Sequence, residues 1–346
     1  MSVGAVSIRD VAELAGVSVG TVSNVLNRPD LVTPSTRTRV QAAIAELGFV
    51  RNESARQLRA GQSRTLGLVV LDVANPFFTD VARGVEDTAS AAGLAVILCN
   101  SDEKSSKEHA YLDLLEEQRV KGILITPADG ISERLGDLRR RGTPVVLLDQ
   151  RSTRKDQCSV SVDDALGGEL AVSHLLDYGH RRLAFVGGPM SISQVQDRLR
   201  GARLAIKNAD DAAELMVQTT AGLNVSAGRT AAADLIKIPR SRRPTAVFCA
   251  NDLLALGVLQ ELTHQSVRVP QDMAIVGYDD IDFASAAAVP LSSVSQPRHQ
   301  LGRTAAELLI EETADGGHHK HQQVVFEPEL VIRESSSVRR RVSRRS

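Results

Sequence analysis

Runs of consecutive Val, Ile and Leu residues recur along most of this 346-residue chain and alternate with segments of helical periodicity. Seven such runs are LGLVVLD, AVILCN, GILITP, PVVLLDQ, LAFVGG, AVFCAND and AIVGYDD. Unbroken apolar runs are typical of parallel strands that helices cover on both faces. Because seven units exceed one comfortable sheet and the chain exceeds one core, we predict an α/β fold with two doubly wound parallel-sheet lobes. Their seam is expected near residues 160–165.

The N-terminal segment has a different pattern, IRDVAELAGVSVGTVSNVLN over residues 8–27. Gly16 permits a tight turn between two short helices, and Ser18 can cap the second helix by accepting a backbone N–H. A third helix is predicted from Pro34 to a stop at Gly48. Apolar positions that share a face of each helix are Val11, Leu14 and Ala15, then Val22, Val25 and Leu26, then Val40, Ile44 and Leu47. Three helices of this size predict a helix-turn-helix headpiece that binds DNA.

Charge is distributed unevenly along the chain, although the formal net charge is only −1. Residues 1–64 carry eight Arg and five acidic residues, and the last nine residues carry five Arg and no acid. A basic head on an acidic body fits a protein that meets DNA at one end. The basic tail, residues 336–346, is predicted to be disordered.

The cysteines and the hydropathy of the sequence indicate the cellular compartment of the protein. Cys99, Cys158 and Cys249 are far apart, odd in number and without CxxC spacing, so they indicate neither a disulfide framework nor a zinc site. No apolar run approaches the roughly 20 residues of a membrane span, and the N-terminus lacks the pattern of an export signal. We therefore expect a cytoplasmic protein with no membrane contact.

The ordered series DVAELAGVS, TVSNVLN, TPSTRTRV, ELGF and ARQLRAG resembles the headpiece and hinge of the LacI/GalR-type bacterial repressor family. The resemblance continues to about residue 334. It implies a homodimeric transcriptional repressor without a cofactor or enzymatic activity, whose operator affinity responds to a small molecule. The implied domains are the helix-turn-helix headpiece at 1–50, a hinge helix and linker at 51–64, and an effector-binding and dimerisation domain at 65–335.

The resemblance also implies lobes of the periplasmic-binding-protein type, with several chain crossings between them. The chain is expected to return to the first lobe near Ser293 and to the second near Val324. The implied boundaries are about 65–162 and 294–323 for lobe one, and about 163–293 and 324–335 for lobe two.

The second helix of the headpiece is the expected DNA reader. The resemblance places Val19, Gly20 and Asn24 toward the bases of the major groove. Its expected backbone contacts are Ser18, Thr21, Ser23 and Asn27. Because Gly20 presents no side chain and Val19 offers only apolar contact, we expect Asn24 to be the main base reader.

The expected hinge contacts with DNA are Asn52, Ala55 and Leu58. Leu58 is an apolar residue between Arg56 and Arg59 on an otherwise polar helix. In relatives, the matching leucines of two subunits wedge into the minor groove; the alternative is dimer packing by the same leucine. Both interpretations need a dimer, which implies a roughly palindromic operator of double-stranded DNA.

Ligands of open α/β sheets bind beyond the carboxyl ends of the strands. Polar and aromatic residues that follow strands, and one arginine that the resemblance adds, are the expected effector contacts: Asn75, Phe77, Phe78, Asp149, Arg198, Asn251, Asp279 and Gln296. Such groups exchange hydrogen bonds with sugar hydroxyls, and an aromatic ring packs on the C–H faces of the sugar. Phe77 and Phe78 point about 100° apart on a helix, so one of them can face the cleft. We expect a ribose-like pentose or a hexose, although the acids could instead cap helices.

Three alternatives to this interpretation stay open. The effector could be a nucleoside, a purine or a phosphorylated metabolite, and the chain could be a solute-binding protein without a regulatory role. A sugar-modifying enzyme would need an activated nucleophile or a cofactor loop, which the sequence motifs do not supply.

Two clusters of potential metal ligands are not adopted as sites. His318, His319 and His321 lie in a Gly-rich loop, where adjacent histidines rarely converge on one ion. Asp279, Asp280 and Asp282 could in principle hold a hard cation. The sequence therefore predicts no metal site.

Overall fold

The computed structural model describes residues 6–49, 63–129, 132–209, 212–315 and 318–337. The chain divides into two compact units, Met1–Gln62 and Ser63–Ser346. The smaller unit holds the predicted headpiece, and the larger unit holds both sheets.

The smaller unit contains the three predicted helices, α1 (Ile8–Leu14), α2 (Val19–Asn27) and α3 (Pro34–Leu47), with a 3₁₀ turn at Pro29–Leu31. Its small core consists of Val11, Ala12, Ala15, Val22, Val25, Val40 and Ala43. Gly16 has φ +61° and Gly48 has φ +60°, so both chain reversals use the left-handed conformation that glycine adopts without strain. The assignment of Leu14 to the core was wrong, because α1 packs through Val11, Ala12 and Ala15 and leaves Leu14 46% exposed.

The larger unit alternates strands and helices. Its strands are β1 (Thr65–Val70), β2 (Ala95–Asn100), β3 (Ile123–Ile125), β4 (Val145–Leu148), β5 (Ser159–Val162), β6 (Arg182–Gly187), β7 (Glu214–Thr219), β8 (Ala246–Cys249), β9 (Ala274–Asp279), β10 (Ser292–Ser295), β11 (Gln323–Phe326) and β12 (Glu329–Val331). Its helices are α4 (Pro76–Ala91), α5 (Ser105–Glu117), α6 (Glu133–Arg140), α7 (Asp164–Asp177), α8 (Ser193–Asn208), α9 (Val225–Lys237), α10 (Asp252–His264), α11 (Asp282–Ser285) and α12 (Arg298–Ala314).

These strands form two six-stranded sheets, one in each lobe. The first has the order β11-β5-β4-β3-β1-β2 and the second the order β12-β10-β9-β8-β6-β7. Every neighbouring pair is parallel except β10 with β12. The α/β fold with two parallel-sheet lobes is confirmed. The apolar runs did not reveal β5 and β7, because SVSV and ELMVQT mix polar with apolar residues.

The chain crosses between the lobes about two residues after the points expected near Ser293 and Val324. Strand β10 lies wholly in the second sheet, paired with β9 and β12, so the chain leaves that sheet only after Ser295. Strand β11 pairs with β5 in the first sheet, so the return follows Phe326. Pro297 and Pro328 stand just beyond these strands. Since proline has no backbone N–H to continue a ladder, they are the local signal that marks both exits.

The tail boundary at 336 was also wrong. Ser335 and Ser336 are fully buried. Ser335 Oγ donates to the carbonyl oxygen of Ile275 at 2.7 Å, and Ser336 Oγ lies 2.7 Å from His174 Nε2. The packed chain therefore extends through Ser336, and residues 338–346 lie outside the described part.

Glycines set the spacing of the helices α7 and α8, which pack against each other in the second lobe. A Cβ on Gly168 of α7 would overlap the backbone carbonyl of Arg198 in α8, and one on Gly201 of α8 would overlap that of Ala165 in α7. The absence of side chains at both positions lets the two backbones touch. This contact fixes the position of Arg198 relative to the first turn of α7.

Candidate functional site

Helix α2 presents its N-terminal half to solvent. Ser18 caps the helix, because its Oγ accepts from the Thr21 backbone N–H at 3.1 Å. The residues expected to face bases, Val19, Gly20 and Asn24, are all exposed. These three exposed residues therefore share one surface with the N-terminus of α2, where the helix dipole is positive. Such a surface suits a polyanion.

The expected backbone contacts lie beside this surface. Ser18 is exposed, and Thr21 and Ser23 are half-buried. Asn27 Nδ2 donates to the carbonyl oxygen of Ser23 at 2.8 Å, which orients that amide along the helix. The hinge residues Asn52, Ala55 and Leu58 lie outside the described residues, so their DNA contacts stay predictions.

A cavity in the larger unit lies where the carboxyl ends of strands from both sheets meet. Its volume is about 30 Å³, room for one or two water molecules. Seven of the eight expected effector residues line it: Asn75, Phe77, Phe78, Asp149, Arg198, Asn251 and Asp279. The eighth, Gln296, donates through Nε2 to Asp279 Oδ1 at 2.8 Å and so lies directly behind it. A sugar needs more space than this cavity has, so its entry requires the lobes or side chains to separate.

Phe77 and Phe78 both line the cavity, although the sequence predicted that one of them would face it. Their rings meet edge to face, with centroids 5.0 Å apart and planes at 82°. The mutual contact turns the two side chains toward the same space despite their angular separation on α4. The cavity therefore has an aromatic wall from the first lobe.

Seven further residues that were not predicted from the sequence line the cavity: Leu71, Asp72, Glu103, Ile192, Gln194, Val195 and Leu223. Gln194 is the most consequential, because its Nε2 donates to Asp149 Oδ2 at 3.1 Å and also to the Asp149 backbone carbonyl. Gln194 precedes Arg198 by four positions and therefore shares its face of α8. That spacing was the available signal.

Arg198 is the central cation of the site and is buried. Its Nε donates to Asp164 Oδ1 at 2.7 Å, and its Nη1 donates to the Ala250 carbonyl at 2.6 Å. Nη1 also lies 3.6 Å from Asp279 Oδ1. The guanidinium carbon lies 3.6 Å from the centre of the Tyr278 ring, a cation–π contact. These partners hold the guanidinium in one orientation.

The buried carboxyls outnumber this cation. Burial and the nearby Asp164 raise the pKa of Asp149 well above its ordinary range. Burial also raises the pKa of Asp279 to about 6, although Arg198 opposes the shift. Asp149 Oδ1 is buried without a hydrogen-bond partner among the described residues. Within the described part of the chain, the cavity therefore contains one carboxyl oxygen without a partner, Asp149 Oδ1, which can pair with a ligand hydroxyl group.

The backbone is strained where the acids enter the cavity. Asp149 has φ +55° and Asp279 has φ +100°. Non-glycine residues at positive φ cost of order 1–3 kcal/mol and concentrate at functional sites. The conformation directs both carboxyls to the strand ends that line the cavity.

The two asparagines combine capping with lining. Asn75 Oδ1 accepts from the Phe77 backbone N–H at 3.0 Å, and Asn251 Oδ1 accepts from that of Leu254 at 2.9 Å. Helix capping was the alternative role expected for the acids, but in the structure these two amides cap helices. Their amide N–H groups remain the part that can exchange partners.

Hydrogen bonds across the cavity join the lobes. Asn75 Nδ2 of the first lobe donates to Asp279 Oδ2 of the second at 3.3 Å, and Gln194 of the second reaches Asp149 of the first. At the rim, burial raises the pKa of Glu103 to about 7, although a hydrogen bond from the Leu223 backbone opposes this. A ligand that competes for these groups changes how the lobes are held together.

No helix among the described residues is long and apolar enough to cross a bilayer.

Comparisons with known proteins cover both units. A model of bacterial regulatory proteins of the lacI family matches residues 7–52, and a model of a periplasmic binding protein-like domain matches residues 172–336. The chain is 35% identical to the HTH-type transcriptional repressor PurR of Photobacterium profundum, over 95% of this chain and 98% of that protein. It is also 35% identical to the ribose operon repressor of Escherichia coli K12, over 88% of this chain and 92% of that protein.

A solved structure extends the comparison to a bound ligand. The LacI family transcriptional regulator from Enterococcus faecalis V583 with bound ribose superposes with a TM-score of 0.72 at 29% identity, over 79% of this chain and 98% of that one. The similarity to relatives therefore includes the unit that contains the cavity.

Proposed function

Because the chain belongs to the LacI family of bacterial regulatory proteins, which are transcriptional repressors with an effector-binding domain, we propose that a small neutral sugar of the pentose type is its effector. The sugar binds between the two lobes and alters the affinity of a homodimer for a roughly palindromic operator. The observation that carries the proposal is the charge balance of the cavity.

That balance favours an uncharged ligand rich in hydroxyl groups. Arg198 is the single cation among the described lining residues, and it already faces Asp164 and Asp279. A phosphate group would meet these carboxyls in a buried site without a free counter-charge, at a large desolvation cost. Sugar hydroxyls can donate to Asp149 and Asp279 and accept from the remaining N–H groups of Arg198.

The aromatic wall supports the same ligand class. Phe77 and Phe78 present apolar surface opposite the polar side, which suits the C–H face of a sugar ring. Two relatives named for ribose, the ribose operon repressor and the ribose-bound regulator, agree with this choice.

A purine base is the second candidate, because relatives named PurR reach the same identity. A purine could stack on the phenylalanines, but its few N–H groups leave more of the buried carboxyl oxygens unpaired than a sugar does. The sugar is therefore the better match.

Control of DNA binding follows from the bonds across the cavity. A ligand shifts the equilibrium between lobe arrangements only by its difference in affinity for them. When a sugar replaces the Asn75–Asp279 and Gln194–Asp149 hydrogen bonds, the two lobes are held through the ligand instead. The proposed consequence is a changed placement of the paired DNA-binding units.

Calorimetric titration of the full chain tests the ligand class. D-ribose is expected to bind, whereas D-ribose 5-phosphate and hypoxanthine bind at least about tenfold more weakly, a difference of about 1.4 kcal/mol. The Asp279→Asn variant is expected to lose ribose binding. Asp282→Asn is the matched control, because this side chain is 99% exposed on the following turn. Tighter binding of hypoxanthine than of every pentose and hexose would refute the sugar proposal in favour of the purine.

Gel-shift titration tests the DNA side independently. Asn24→Ala is expected to weaken binding to an inverted-repeat operator while leaving binding to random DNA unchanged. Gln41→Ala, on the exposed surface of α3, is the control. Equal losses on both DNAs would contradict base reading by Asn24. Light scattering should give twice the chain mass of 37.1 kDa, and a monomer on operator DNA would contradict the dimer.

A further inference from the structure

Four potential metal ligands converge at one point of the first lobe. Cys158 directly precedes β5, Glu312 lies in the last turn of α12, and His319 and His321 lie in the segment that leads into β11. Their ligand atoms all lie within 4.8 Å of one another. The cluster therefore joins three separated stretches of chain at one point.

The distances in this cluster are close to those around a tetrahedral zinc ion. Cys158 Sγ lies 3.2 Å from His319 Nε2 and 3.6 Å from His321 Nδ1, and His321 Nδ1 lies 3.9 Å from Glu312 Oε2. Zinc bonds of about 2.3 Å to sulfur and 2.1 Å to nitrogen or oxygen, at tetrahedral angles, place ligand atoms about 3.4–3.6 Å apart. An ion can therefore enter after small side-chain adjustments.

Burial and charge also suit a metal dication. Cys158 is fully buried, and the side chains of His319 and Glu312 are 5% and 13% exposed. Glu312 Oε2 is buried and has no hydrogen-bond partner among the described residues. One thiolate, one carboxylate and two neutral imidazoles cancel the charge of Zn²⁺, so the loaded site carries no net charge.

Outer contacts orient two of the ligands. The Gln322 backbone N–H donates to Cys158 Sγ at 3.4 Å, an arrangement that stabilises a thiolate. His319 turns its other nitrogen, Nδ1, toward Asp315 Oδ2 at 3.9 Å. Carboxylates in this position are the usual outer partners of zinc-bound histidine. Arg139 is the neighbouring cation, and it faces Asp156 at 3.6 Å, which offsets its charge.

We propose that Cys158, Glu312, His319 and His321 bind one Zn²⁺ in a closed structural site that fastens the end of α12 and the segment before β11 to β5. All four coordination positions are filled by protein, as in structural rather than catalytic zinc sites. In the sequence, the adjacent histidines have no further metal ligand beside them. The fold supplies the cysteine and the carboxylate that those histidines lacked.

The test is a Co²⁺ titration of the tag-free, full-length chain after chelator treatment. Cobalt is used because a tetrahedral thiolate site gives it intense visible bands and a thiolate-to-metal charge-transfer band in the near ultraviolet. One Co²⁺ per chain with both features is expected, and Zn²⁺ should displace it. The variants Cys158→Ser and His319→Ala should weaken binding by more than about 100-fold, beyond the loss typical of outer-shell changes.

Matched controls separate the site from general metal affinity. Cys99 is another buried cysteine, and His318 is an exposed neighbour of the two histidines; Cys99→Ser and His318→Ala should bind Co²⁺ like the parent chain. Glu312→Gln keeps the shape of the side chain and should retain the charge-transfer band with weaker binding, even if Cys158→Ser fails to fold.

Three results would overturn the proposal. If Co²⁺ binds without a thiolate band, the residues form only a hydrogen-bonded cluster. The same conclusion follows if the parent chain and folded His319→Ala bind Co²⁺ with equal affinity. The absence of stoichiometric binding of Co²⁺ or Zn²⁺ at micromolar concentration has the same meaning. Folding of each variant is checked by near-ultraviolet circular dichroism.

Discussion

Replacement of Arg198 by methionine tests whether a buried ionic cluster holds the cavity between the lobes together. Methionine keeps much of the aliphatic volume and removes the charge. Asp164 would lose its 2.7 Å partner, Asp279 would lose the cation at 3.6 Å, and the ring of Tyr278 would lose its cation–π contact. Loss of one partner of a buried ion pair costs about 3–5 kcal/mol of unfolding free energy, so we expect a loss in this range near neutral pH.

The size of this effect can be judged from Asp279. Its pKa is about 6 in the fold, compared with an ordinary 3.8, even with Arg198 in place. At pH values above the folded pKa, that difference lowers the free energy of unfolding by about 3 kcal/mol. Without Arg198, the folded pKa values of the buried acids rise further, while their unfolded values do not change. The cost begins above the unfolded pKa and grows with pH up to the folded pKa, so the loss of stability should be larger near pH 8 than near pH 5.

Urea unfolding of the full chain, followed by near-ultraviolet circular dichroism, measures this loss. The chain has three tyrosines and no tryptophan, and Tyr111, Tyr178 and Tyr278 all lie in the larger unit, so the signal reports on that unit. The control is Arg200→Met, two positions along the same helix, where the side chain is 66% exposed. The control should lose less than about 0.5 kcal/mol. A loss below about 1 kcal/mol for Arg198→Met, or one independent of pH, would refute the buried-cluster argument.

Three further predictions concern the cap of α2, the contact between α7 and α8, and the pH dependence of ligand binding. Ser18→Ala removes the capping bond of α2 and should destabilise the smaller unit by about 1 kcal/mol, which amide hydrogen exchange can measure. Thr33→Ala is the control and should cost less, because the Thr33 side chain makes no capping bond. Gly168→Ala places a methyl group against the Arg198 carbonyl and should lower the unfolding free energy by about 1–3 kcal/mol, and an unchanged urea midpoint would contradict the close helix contact. Ligand affinity should fall as the pH drops through the Asp279 pKa of about 6, because the protonated carboxyl accepts fewer hydrogen bonds. One pH unit below this pKa the affinity should be about tenfold lower. An affinity that calorimetry finds independent of pH would contradict a role for ionised Asp279.

Local patterns in the sequence were sufficient to predict the DNA-binding unit. Gly16, Ser18 and Gly48 act within a few residues of their own positions, by turning or capping the chain. The error at Leu14 arose because the spacing of the apolar residues in α1 fits two adjacent faces of the helix. The face that includes Leu14 was predicted to be buried, but the buried face leaves Leu14 exposed. Periodicity gives the spacing of a face but only packing decides its centre.

The residues that line the cavity could be predicted in part for a different reason. Parallel strands bring their carboxyl ends to one edge, so residues such as Asn75, Asp149 and Asp279 were expected together before their contacts were known. Asp164 and Tyr278, which orient Arg198, carried no such signal. The position of Asp164 depends on the contact between α7 and α8, and Tyr278 reaches the guanidinium from the end of β9, so both contacts join residues remote in the chain.

The sequence by itself determined the classes of structure: a helix-turn-helix unit, parallel sheets covered by helices, and polar residues at strand ends. These depend on hydrophobic period, capping and backbone freedom, which are properties of neighbouring residues. Only the tertiary structure decided which sheets β10 and β11 join, the partners of Arg198, and the meeting of Cys158 with His319. Each of these is a contact between segments far apart in sequence, so it depends on how the sheets and helices pack and cannot be inferred from a local pattern.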